Sequence, residues 1–268
     1  MIRLENLTKV YSVKGVRTTV ADCLNTVFPT GASVALLGRN GAGKSSLLRM
    51  IAGTMDATSG RIVSDGTISW PVGFAGSFHP ELTGAQNVRF VARIYGVDTD
   101  QLVDYVRDFA ALGGHFDQRF GSYSSGMRSR LAMGTSMGID FDTYLVDEVT
   151  SVGDAEFRAR SELVFTERMQ RASSIFVSHS MPMVRRMCTM GAVLSNGNLQ
   201  LFDDIEEAIA RHEVLMGVPP SRRPVAPAAA VPPPAGAAKP AAPRPAAPRP
   251  AAPPAANAGT GPTGNATG

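Results

Sequence analysis

Cysteine is almost missing from this chain of 268 residues: Cys23 and Cys188 are the only two, far apart and without metal-type spacing. That excludes a multi-bridge disulfide framework and a thiolate metal site; two reduced thiols of a cytosolic protein are expected, with one structural disulfide as the alternative. Long apolar runs are missing too, with none near the roughly 20 residues that a membrane-spanning helix needs. The start, MIRLENLTKVY, alternates like a strand and lacks the apolar core of a signal peptide. Proline is scarce over residues 1–217, because 15 of the 19 prolines fall in residues 218–268. That last stretch has no acidic residue and five basic ones, Arg222, Arg223, Lys239, Arg244 and Arg249. The chain is +3 overall, so residues 1–217 carry −2 and the tail +5. The basic character belongs to the tail and gives no reason to expect a nucleic-acid groove on the folded part.

The tail contains AAPRPAAPRPAAPP. With no core to bury, it is expected to be disordered and extended in the polyproline II sense. A cationic tether to anionic lipid is the alternative, worth about 1 kcal/mol per basic residue near the surface.

What is present over residues 1–217 is a repeated α/β signal. SVALLG (33–38), TYLVDE (143–148) and SIFVSH (174–179) are brief aliphatic or β-branched runs, each followed by a helical pattern. Buried strands of a largely parallel sheet read this way. Ile2 to Pro29 looks like short antiparallel strands. Residues 82–137 change to amphipathic helix, as in NVRFVARIYG and QLVDYVRDFAALG, which predicts a helical sub-domain inserted in the α/β pattern. Asn196-Gly197 between apolar residues predicts a hairpin, and DIEEAIARHEVLM a closing helix. The expected organisation is one domain over 1–217 and a tail over 218–268.

Residues Gly38, Arg39, Asn40, Gly41, Ala42, Gly43, Lys44 and Ser45 match G-x-x-x-x-G-K-[ST] in full, with a strand leading in and SSLLRMIAG leading out. Glycines let backbone N–H groups close around phosphate oxygens, and the helix N-terminus adds partial positive charge. Lys44 can reach the β- and γ-phosphates of a nucleoside triphosphate, and the Ser45 hydroxyl can ligate Mg²⁺. Asp147 ends an apolar strand, where it can hold Mg²⁺ through water. Glu148 is then the natural general base for the attacking water. His179 ends the next strand, placed to contact the γ-phosphate. Tyr123-Ser124-Ser125-Gly126-Met127 opens a helix carrying Arg128 and Arg130, a second anion-binding helix start about 20 residues before Asp147.

Together these residues resemble the nucleotide-binding subunit of ATP-binding-cassette (ABC) transporters. The resemblance implies an α/β fold: a P-loop, RecA-like core with an N-terminal antiparallel β subdomain and an inserted helical one. In it, residues 38–45, with Ser46 beside them, look like Walker A, Asp147-Glu148 like Walker B with its catalytic glutamate, and His179 like the switch histidine. Ser151-Val152-Gly153-Asp154 is similar to the D-loop, and Tyr11 matches the aromatic that stacks on adenine. Ser124, Ser125 and Gly126 correspond to the signature loop. They would face the γ-phosphate of an ATP held by the partner, in a head-to-tail homodimer that sandwiches two ATPs with Mg²⁺.

Two departures point to a subfamily. The signature reads Tyr-Ser-Ser-Gly-Met in place of Leu-Ser-Gly-Gly-Gln, and the Q-loop has no glutamine between Phe74 and His79, where Ser77 or His79 could stand in. Gln86 lies too late, inside a helix. SWPVGFAGSFHPELTG (69–84) is too rich in glycine and proline for a helix or strand. It is similar to the modified Q-loop of ATPases that export capsular polysaccharide and O-chains. That loop would face the nucleotide and a cytoplasmic helix of an integral membrane permease, with Trp70, Phe74 and Phe78 offering apolar contacts; core packing is the other reading of Trp70.

The implied function is ATP hydrolysis driving export of a lipid-linked capsular polysaccharide, contacted mainly by the permease, from the cytoplasmic face of the inner membrane. An O-antigen or teichoic-acid cargo, or a soluble non-transport ABC ATPase, is the alternative.

Overall fold

A computed structural model of the chain describes residues 1–76, 78–147 and 154–217. The N-terminal hairpin is longer than the sequence suggests. β1 (Ile2–Val13) and β2 (Val16–Phe28) pair antiparallel from Ile2↔Phe28 to Val13↔Val16. Lys14 and Gly15 both take positive φ, as a two-residue hairpin turn of matching twist requires. Asn6 and Cys23 also take positive φ beside register shifts in the ladder. Such bulges interrupt the alternation that marks a strand, so two long strands read as several short ones. β4 (Ser59–Ser64) completes this sheet in the order β2-β1-β4.

The second sheet holds β3 (Ser33–Leu37), β5 (Ile68–Pro71), β6 (Thr143–Asp147), β7 (Ser173–Val177), β8 (Met190–Ser195) and β9 (Asn198–Phe202). Its order is β5-β6-β7-β3-β8-β9, parallel except for the β8–β9 hairpin over Asn196-Gly197. β3, β6 and β7 are buried almost throughout, which is why they read as unbroken apolar runs.

α1 (Lys44–Ile51) covers one face and joins a core with Leu4, Leu36, Leu145 and Ile175. A larger core on the other side includes Ala35, Tyr144 and Phe176 from the sheet. Three helices of the 82–137 region pack there: α2 (Gly84–Tyr95), α3 (Thr99–Ala110) and α4 (Ser125–Met137). α5 (Ala155–Arg171), α6 (Met181–Met187) and α7 (Ile205–Met216) complete it. Free Cys188 is buried, which pushes its thiol up to about 12, so it is inert as a nucleophile; free Cys23 is exposed.

The 69–84 stretch corrects the sequence reading. Ser69, Trp70 and Pro71 belong to β5 and are not loop, with Pro71 opposite Leu145. β5 is an edge strand, the place in a sheet where a residue without an N–H is tolerated. Trp70 is core: 8 % exposed, with its ring 5.2 Å from Tyr95 and 5.5 Å from Phe141. Phe78 is buried too, edge-on to Phe120 at 5.3 Å. Neither ring is available to a partner, and of the three aromatics only Phe74 is exposed. Gln86 sits in α2, where it closes a reciprocal cap with Thr83. His79 is tied locally, its Nδ1 accepting from the Glu81 N–H. Ser77 lies outside the described residues.

Candidate active site

The loop between β3 and α1 is built by positions that only glycine fills. Gly38 has φ 152°, and a Cβ there would collide with the Leu194 carbonyl oxygen. Gly43 has φ 104°, and its Cβ would come within 2.8 Å of Val20 Cβ on β2. Gly43 is the N-cap of α1, so this helix starts with no side-chain cap and no acidic residue in its first turn. Its first N–H groups are left for a ligand, with the positive end of the helix dipole behind them. Ala42 N–H donates to the Arg39 carbonyl at 3.1 Å, closing the turn, while Lys44 Nζ donates to the carbonyls of Gly38 (2.8 Å) and Arg39 (3.1 Å). The ammonium thus already lies folded over the loop.

A cleft of about 770 Å³ opens above this loop. Asn40, Gly41, Gly43, Lys44, Ser45 and Ser46 line it, together with Tyr11, Asp147 and His179. Sheet order explains the convergence: β7 lies between β6 and β3, so Asp147 at the end of β6 and His179 just past β7 both reach the edge where β3 gives way to the loop. This is the carboxyl edge of a parallel sheet, where ligands of open α/β folds bind. Tyr11 Oη and Ser46 Oγ are hydrogen-bonded at 2.9 Å, and the Lys9 ammonium stands 5.3 Å from the tyrosine ring centre. Glu148 follows Asp147 directly but lies outside the described residues, as do Ser151, Val152 and Gly153.

The donor set suits Mg²⁺ better than a transition metal. Ser45 and Asp147 offer hard oxygens, and among the described residues no group of three His, Cys, Asp or Glu side chains could cage an ion. Mg²⁺ is ordinarily held by one or two protein oxygens plus phosphate and water.

Ser124, Ser125, Gly126 and Asp154 do not line this cleft. Ser124 is the N-cap of α4, accepting the Met127 N–H at 3.3 Å. Arg128 and Arg130, carried by this helix, are both engaged within the chain. Arg128 donates to the Gly121 carbonyl and covers the Phe120 ring. Arg130 pairs with Asp154 at 2.6 Å and lies over Phe157. Asp154 in turn caps α5 through the Phe157 N–H, which, with Arg130, holds its carboxyl below the usual range. The arginine ties the helix behind the signature-like loop to the segment that leaves β6, a contact the sequence reading missed.

A groove of about 670 Å³ lies beside the cleft, lined among others by Arg49, Phe74, Met133, Phe157, Arg158 and Met183. Asp147 borders both cavities.

The family model for ABC transporters matches residues 22–151. The polysialic acid transport ATP-binding protein KpsT of Escherichia coli is 45 % identical over 217 residues, covering 80 % of this chain and 97 % of that protein. The chain belongs to the ABC transporter family. The capsule polysaccharide export ATP-binding protein CtrD of Neisseria meningitidis serogroup B is 38 % identical, over 78 % of this chain and 96 % of its own. Among solved structures, the dimeric post-hydrolysis state of the ATP-binding cassette MJ0796 bound to ADP and Pi superposes with a TM-score of 0.62. It covers 76 % of this chain and 99 % of that one at 19 % identity, so the ABC cassette fold is shared although most residues differ.

Proposed function

We propose that this ABC protein is the ATP-hydrolysing subunit of an exporter that drives a lipid-linked capsular polysaccharide across the inner membrane. The observation that carries the reading is the loop of Gly38 to Ser45: a glycine-built turn on an uncapped helix, with Lys44, Asp147 and His179 facing one cleft. The cargo class rests on the 45 % and 38 % identity to proteins named for polysialic acid transport and capsule polysaccharide export.

In this reading Lys44 leaves the Gly38 and Arg39 carbonyls for the β- and γ-phosphates, exchanging two neutral acceptors for charged ones, the stronger kind of hydrogen bond. The N–H groups opening α1 hold the β-phosphate, Tyr11 stacks on the adenine, and Ser45 and Asp147 hold Mg²⁺. Bound there, Mg²⁺ would offset the charge developing on the phosphates. Glu148 takes a proton from the attacking water, and His179 contacts the γ-phosphate. Two chains close head to tail, each lending Ser124, Ser125 and Gly126 to the other's ATP. No helix among the described residues is long and apolar enough to cross a membrane. In this reading the subunit works peripherally, on the cytoplasmic face, against integral permease subunits that contact most of the polymer. The groove with exposed Phe74 receives a permease segment, and Asp147, shared by groove and cleft, lies where a change in one is felt in the other.

The purified full chain is expected to hydrolyse ATP, and removal of residues 218–268 to leave that rate within about twofold, since α7 already closes the described fold with an αL glycine at Gly217. A phosphate-release assay on both forms checks this. No hydrolysis by the full chain contradicts the ATPase reading, and loss only on truncation contradicts a dispensable tail.

A further inference from the structure

α7 is unremarkable in sequence but reaches the base of the phosphate loop. Its first N–H, on Ile205, donates to the Thr189 carbonyl just before β8, and Ala208 packs so closely on Gly191 that no Cβ fits between them. The helix therefore climbs β8 and β3 in the direction of the strands, held to α6 by the Arg185–Glu206 pair. From Ala208 to His212 it rises about 6 Å, close to the climb of two strand residues at about 3.3 Å each. From Gly191 that leads to Val193, which pairs with Leu37, the residue before Gly38. His212 thus stands level with the start of the loop whose Gly38 carbonyl accepts from Lys44.

His212 is half-buried, and its Nδ1 is enclosed with no hydrogen-bond partner among the described residues. Among the described residues the groups that act on the ring are few. β3, β8 and β9 carry no charged residue. On α6, Arg185 is matched by Glu206 and Arg186 by Glu162. Burial is the main influence and pushes the imidazole below its ordinary range; Lys44 and then His179 push the same way, and Glu213 opposes them. Burial and the Lys44 ammonium thus both favour the neutral imidazole over the charged one.

The geometry points to His212 as a proton acceptor linked to triphosphate binding: when phosphates enter the cleft and offset the charge of Lys44, the unpartnered ring behind the loop takes up a proton. This rests on the nucleotide reading above. No neighbouring donor has to be displaced from Nδ1 first. The added positive charge behind the loop attracts the phosphates in turn, since linkage is reciprocal. Protonation is favoured at low pH, so the contribution to affinity is present at acidic pH and disappears as pH rises through the imidazole's bound-state value.

Isothermal titration of the full chain with Mg²⁺ and the slowly hydrolysed γ-thio analogue of ATP tests it, in buffers of different ionisation enthalpy. At about pH 6.5, near an ordinary histidine value, the heat is expected to depend on the buffer and to report net uptake of up to one proton per nucleotide. At about pH 8.5, well above that value, the dependence is expected to vanish. In His212→Gln the uptake is expected to disappear at the lower pH while saturable binding persists. A normal isotherm with buffer-independent heat overturns the inference, as does uptake that survives in His212→Gln. No isotherm at either pH contradicts the nucleotide reading instead.

Discussion

Glu148→Gln is expected to bind ATP as tightly as the unsubstituted chain and to lose about 10²-fold or more in turnover, the scale on which a positioned general base acts. β6 ends with Asp147 in the cleft that His179 also lines, and Glu148 is the next residue in the sequence. Glutamine keeps the shape of glutamate but accepts no proton, so the loss falls on the chemical step. A hundredfold is about 2.7 kcal/mol of barrier. It should appear in kcat with KM little changed, because the proposed reading gives binding to Lys44, the loop and Tyr11 and not to the base. Single-turnover hydrolysis with ATP bound in advance separates the two. A variant that turns over within about threefold of the unsubstituted protein removes Glu148 from this role.

Gly38→Ala is expected to abolish saturable ATP binding and to lower stability by about 1–3 kcal/mol, the usual range for forcing atoms into filled space. The obstacle is backbone: the new methyl meets the Leu194 carbonyl oxygen, and φ 152° disfavours any side chain. To escape, the loop must shift away from β8, which also displaces the Gly38 carbonyl that now holds Lys44. Gly41→Ala is the matched control. Gly41 also has positive φ, at 80°, but nothing lies within 4 Å of its would-be Cβ. The cost there is conformational alone, about 1–2 kcal/mol for a residue made to adopt the left-handed region, with the loop's packing kept. Thermal melting and nucleotide titration of both variants check the contrast. Equal behaviour would mean that Gly38 is present only for its φ and not for contact with β8.

The gathering of Lys44, Asp147 and His179 in one cleft was legible because its pattern is local in sequence. Strand, glycine loop and helix follow one another within residues 33–51, and Asp147 and His179 each end an apolar run, so a parallel sheet gathers them at one edge. What escaped is decided by tertiary contacts. Trp70-Pro71 reads as loop because a four-residue strand is too short to show its period, and the proline is tolerated only because β5 is an edge. Phe78 reads as a surface contact, and Trp70 as either contact or core, because the residues that bury them, Tyr95 over Trp70 and Phe120 beneath Phe78, come later in the chain. The Arg130–Asp154 pair goes unread because its two members stand 24 positions apart. His212 carries no motif at all; its place on α7 follows from the close approach of Ala208 to Gly191 on β8, which no local pattern announces.

Capture of its partner decides whether this ATPase works on a membrane permease. Tagged Glu148→Gln protein is loaded with ATP, recovered from detergent-solubilised membranes of its own cells, and the co-eluting chains are identified by mass spectrometry. The account predicts a multi-span permease in stoichiometric amount, retained with ATP. Ribosomal proteins or nucleic acid in its place, with no membrane protein, would contradict it.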